Sequence, residues 1–76
     1  MRETKRFKIE TDEWDEIQKF YVRIAEYLAE EFGCVAEKAI YAIKNAMAFG
    51  YAICDGKDHK IGIQANYARD TIYVGF

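Results

Sequence analysis

Two amphipathic stretches, each closed by a phenylalanine–glycine step, lie back to back between segments that alternate apolar and polar residues. From Trp14 the apolar positions run Ile17, Tyr21, Ile24, Leu28 and Phe32, the three-and-four spacing of a helix face. Gly33 then supplies the residue that most easily ends a helix in the left-handed conformation. Val35, Ala36, Ala39, Ile40, Ile43, Ala46 and Met47 share a second face, and Gly50 closes it in the same way. The two helices differ in length and pattern, so they are not an internal repeat.

The flanks read as strands. In "RFKIE" Phe7 and Ile9 share one face and Arg6, Lys8 and Glu10 the other. Thr11 or Asp12 is the expected cap of the first helix. After Gly50 three short strands are expected, over Tyr51–Cys54, Lys60–Tyr67 and Thr71–Phe76. The order β-α-α-β-β-β predicts a two-layer α+β domain, with an antiparallel sheet of about four strands covered on one face by an αα-hairpin. With 76 residues the chain makes one domain with a thin core. Its 51% hydrophobic content and lack of proline argue against disorder and against a loop-rich disulfide scaffold.

Strand register follows from matching faces, because a one-residue slip inverts every side chain. Tyr51 and Ile53 are large and apolar and are expected on the core side with Ile61 and Ile63. Ile53 then pairs with Ile61, Cys54 pairs with Lys60 and faces outward, and Asp55 to His59 form a five-residue loop with Gly56 free to take positive φ. By the same logic Tyr67 pairs with Ile72, leaving Ala68, Arg69, Asp70 and Thr71 as the last loop.

The loop concentrates Cys54, Asp55, Asp58 and His59, all residue types that ligate metal or carry protons. A zinc site needs three or four converging ligands, and the chain has one histidine. Aspartate and glycine are also what a turn requires for its own backbone. The loop therefore reads as a plain turn, with no metal, cofactor or catalytic role, and His59 as a solvated tip. Cys34 and Cys54 are 20 residues apart, fit neither a zinc ribbon nor a CxxC motif, and are expected as reduced thiols. Glu31 falls within the apolar arc of the first helix and is expected to reach solvent from the helix end.

Net charge is −2, which excludes a global attraction to nucleic acid. The charges are nonetheless segregated. Arg2, Lys5, Arg6 and Lys8 make the first strand basic, and the acids from Glu10 to Glu16 complement a helix N-terminus. On the second helix Tyr41 lies between Lys38 and Lys44 in the polar arc, a stripe suited to a protein partner or to phosphate and base. The outer sheet face carries Arg6, Lys8 and Tyr73 together with in-strand glycines that admit a close neighbour.

The first helix spreads its apolar groups over an arc of about 220° at 100° per residue, wider than one sheet demands. Phe20 and Tyr27 extend one flank and Val22 the other. The last strand, running to Phe76, has neither charge nor proline to protect it as an edge. These features predict a homodimer through Phe20, Tyr27, Val22 and Phe76. The start of the chain has no apolar signal-peptide core, and no apolar run reaches the ~20 residues of a membrane span, so a cytoplasmic protein is expected. The function expected is that of a non-enzymatic regulator or inhibitor that occludes a larger protein, the size class of inhibitors encoded by viruses and mobile elements. The competing expectation is a small nucleic-acid or nucleotide binder.

Overall fold

The computed structural model describes residues 4–66 and 70–75. The elements are β1 (Lys5–Lys8), α1 (Trp14–Phe32), α2 (Ala36–Phe49), β2 (Tyr51–Asp55), β3 (Lys60–Asn66) and β4 (Thr71–Val74). They form the α+β architecture expected, a four-stranded antiparallel sheet under a helical hairpin. Strand order is β1-β4-β3-β2, so β1 and β2 are the edges and the last strand, β4, lies inside the sheet beside β1.

Both helices stop where the glycines dictate. Gly33 has φ 73°, and the N–H groups of Gly33 and Cys34 donate to Ala29 and Leu28 carbonyls. Gly50 has φ 93° and returns its N–H to Ala46. At the start of α1 the Thr11 hydroxyl accepts the Glu13 N–H at 3.1 Å, so Thr11 supports the entry although Glu13 occupies the cap position. No helix among the described residues is long and apolar enough to cross a membrane.

The core sits between the layers. Ile24, Leu28, Ile43, Ile61, Ile63, Ile72 and Val74 have less than 2% of their surface exposed. The inner helix faces are those the spacing picked out, except that Trp14, Val35 and Ala36 are exposed and Ala25 and Ala42 are buried. Phe20 and Tyr27 are partly buried against this core. Tyr27 stands edge-on between Phe7 and Phe32, with ring centroids 5.5 and 6.0 Å away. The wide arc of α1 is thus largely covered by its own chain, and of the α1 residues expected at a dimer contact only Val22 is exposed, at 47%. Phe76 and Arg2 lie outside the described residues, and β4 is an interior strand, which removes the edge argument made for it.

The β2–β3 register differs from expectation by one residue. Ile53 pairs with Gly62, Cys54 with Ile61 and Asp55 with Lys60. Cys54 is therefore buried and Ile53 is 53% exposed. The cause is the helix above. α2 turns Ala39, Ala42 and Ala46 inward and lies close over β2. A helix that approaches on alanines leaves room beneath it only for small side chains, and β2 offers Ala52 and Cys54. The last hairpin differs too. Ile72 pairs with Ala65 and Thr71 with Asn66, so Thr71 belongs to the strand, while Tyr67, Ala68 and Arg69 lie outside the described residues.

Candidate interaction surfaces

The β2–β3 loop that gathers Asp55, Asp58 and His59 is a four-residue turn, Gly56 to His59. Gly56 N–H donates to the His59 carbonyl at 2.9 Å, and Lys57 N–H donates to the Phe32 carbonyl at 2.6 Å. The loop thereby satisfies a carbonyl at the end of α1. Gly56 is needed for closeness and not for positive φ: a Cβ there would meet the His59 carbonyl at 2.7 Å and that of Phe32 at 3.0 Å. His59 is exposed, as expected, and its ring lies edge-on to Phe32 at 6.2 Å. Among the described residues no three His, Cys, Asp or Glu side chains converge as a metal site would require. Glu31 is exposed.

Cys54 has a different neighbour from the one its sequence position implied. Both cysteines are buried free thiols and belong to the same core cluster. Burial first, and the Cys54 thiol second, push Cys34 up to about 12. A thiol held that strongly protonated is a poor nucleophile, and Cys34, in the turn between the helices, belongs to the same buried core as Cys54 of β2.

Two surfaces gather the residues singled out from the sequence. The first is the outer face that the helices leave uncovered. The register aligns Arg6, Tyr73, Gln64 and Tyr51 in one row across all four strands. Beside that row Ile53 stands opposite Gly62, and Gly75 N–H reaches the Gly62 carbonyl at 3.1 Å. Ile53 thus borders a glycine step with no side chain to shade it. Near β1, Arg6, Lys8, Thr71 and Tyr73 enclose a shallow depression of about 360 Å³. The structure therefore unites three residues singled out from the sequence, Arg6, Lys8 and Tyr73, in one place.

The second surface is a groove between α2 and β2, also of about 360 Å³. Glu37, Lys38, Tyr41 and Asn45 form its helix wall, and Ile53, Cys54 and Asp55 its strand wall. Lys38 and Tyr41 of the stripe meet here, with Tyr41 70% exposed. Lys44 is exposed on the same helix but does not line the groove. Sequence reasoning missed Tyr51 and Ile53 because it turned them inward. The signal that would have recovered them is the alanine-rich inner face of α2, which demands small partners. No family model and no curated protein matches the sequence, and no solved structure matches the chain.

Proposed function

We propose that this is a small non-enzymatic interaction protein, a regulator or inhibitor that binds a larger protein partner on the outer face of its sheet. The observation that carries the reading is the row Arg6–Tyr73–Gln64–Tyr51, which crosses every strand on the face without helices. Tyrosine and arginine are the residue types that dominate binding energy at protein interfaces. A sheet backed by two helices presents them with little further ordering cost. Tyr51 and Ile53, 50% and 53% exposed, add apolar area at the β2 side. A cytoplasmic setting is part of the reading, supported by the two free thiols.

The test is capture from native host extract with wild type and with Tyr51→Ala, Tyr73→Ala and Arg6→Ala. A specific protein is expected to bind saturably and unmodified. At least one variant is expected to weaken it tenfold or more, the effect of losing a hot-spot side chain. Recovery of nucleic acid without protein would contradict the proposal.

A second reading, a nucleic-acid or nucleotide binder, is favoured by the depression that brings Arg6 and Lys8 beside Tyr73. Cations there neutralise phosphate and a ring stacks a base. It requires affinity that falls linearly with the logarithm of salt concentration. Lack of binding to mixed-sequence RNA and DNA at low salt removes it.

A further inference from the structure

β2 is an edge strand of the sheet. Ala65 N–H donates to the Gly50 carbonyl at one end of the β2–β3 ladder, and Gly56 N–H donates to that of His59 at the other, both at 2.9 Å. Bonded pairs alternate in an antiparallel ladder. The even residues of β2 therefore turn their backbone groups to β3, and Tyr51, Ile53 and Asp55 turn theirs outward. Among the described residues the one contact to these groups is Cys54 Sγ at 4.0 Å from the Asp55 carbonyl, a long and weak one. Nothing on β2 protects this edge. It carries no proline, lysine or arginine, and its single charge is at its last residue.

From this geometry we propose a two-fold dimer in which β2 pairs antiparallel with β2 of the second copy, centred on Ile53. Three outward residues with the middle one on the axis suit an isologous contact, because the pattern maps onto itself. Ile53 meets its own copy, and Tyr51 falls opposite Asp55 of the other strand at both ends. No like charges then face each other at the ends. All six outward N–H and C=O groups of each strand find partners in this register.

The groove beside β2 is the other half of the argument. A five-residue strand pair alone is a small contact. The sides of Tyr41, Tyr51 and Ile53 that face the second copy add apolar area to it. A stable interface covers at least ~600 Å² per partner. The strand backbone and the helix wall, Glu37, Lys38 and Asn45, supply the remainder when the two grooves close on each other. The resulting eight-stranded sheet carries two copies of the outer-face row on one continuous surface. The pairing stands on the edge itself and does not depend on what that face binds.

Sedimentation equilibrium from 1 to 100 µM, with backbone amide exchange by NMR, tests the pairing. Wild type is expected to rise from 8.9 kDa towards twice that mass. The Tyr51, Ile53 and Asp55 amides are expected to exchange at least tenfold more slowly at high concentration. Ile53→Lys, at an exposed position, is expected to stay monomeric with its circular dichroism unchanged. Val22→Lys on α1 is expected to dimerise as wild type does. A wild-type monomer at 100 µM overturns the proposal. So does a dimer whose three outward amides exchange freely, or one that survives Ile53→Lys and is lost in Val22→Lys. A monomer whose outward amides slow only when a captured protein partner is added would assign the edge to an extended segment of that partner, and would equally overturn self-pairing.

Discussion

The two edges of this sheet are treated in opposite ways by the sequence. β1 has four residues, of which Lys5, Arg6 and Lys8 are exposed. Lys5 is on the inner side of the edge, where its ammonium stands 5.8 Å from the Phe7 ring and 5.9 Å from that of Tyr27. A charge turned towards the core side of an edge strand is a known guard against strand addition, since an incoming strand must desolvate it. β2 has nothing of the kind. Its inner positions are Ala52 and Cys54, its outer ones Tyr51 and Ile53, and its outward backbone groups are open. A chain that blocks one edge with three cations and leaves the other unguarded marks the second as a place for contact.

The largest expected effect separates the two sides of the β2–β3 hairpin. Ile61→Ala removes a side chain with no exposed surface and is expected to cost about 2–5 kcal/mol. Ile53→Ala on the outer side is expected to change protomer stability by no more than about 0.5 kcal/mol. Urea denaturation at micromolar concentration measures both. Equal losses would erase the distinction between the faces on which the β2 edge depends.

A smaller effect is read in pH and sharpens the same contrast from beneath β2. Cys34 ionises near 9.0 when unfolded and at about 12 when folded. Between those values the unfolded chain binds fewer protons, so stability falls as pH rises. The loss from this group is at most about 1.4 kcal/mol per pH unit, and below pH 9 it contributes no slope. Denaturation at pH 8 and pH 10.5 checks this, and Cys34→Ala is expected to remove most of the difference. A slope unaffected by that substitution would show that Cys34 is not buried against Cys54.

The smallest effect on stability concerns the guarded edge. Replacing Lys5 and Lys8 together with threonine is expected to shift stability by only a few tenths of a kcal/mol. It is expected to raise the mass in solution above that of wild type, because a second pairing edge opens. An unchanged mass would mean that the lysines do not guard β1.

Much of this architecture was legible in the residues. The element order, both glycine stops and the two-layer arrangement follow from periodicity and from the cost of a left-handed turn to any residue with a Cβ. The register of β2 was not legible from its own residues. Large apolar side chains are expected inward, and Tyr51 and Ile53 obeyed that rule in isolation. The deciding residues were 39, 42 and 46 on another element, whose alanines bring α2 close enough to admit only Ala52 and Cys54. The arc of α1 depends on another element in a related way: its width is real, and Phe7 of β1 joins Phe32 of the same helix in enclosing Tyr27. Of the candidate surface, Arg6, Lys8 and Tyr73 are expected from the sequence on one outer sheet face, and Lys38, Tyr41 and Lys44 as one stripe on the second helix. Pairing across strands was needed to show that Arg6 and Tyr73 are neighbours and that Tyr51 completes their row.

The outward orientation of Ile53 is the claim on which the open edge, the groove wall and the outer face all rest. Nuclear Overhauser contacts between Hα atoms test it directly, because facing residues of a non-bonded antiparallel pair bring their Cα atoms to ~4.5 Å. Strong Hα–Hα contacts are expected between Ile53 and Gly62 and between Tyr51 and Gln64. A contact between Ile53 and Ile61 in their place would turn Ile53 inward and Cys54 outward, and would contradict the account.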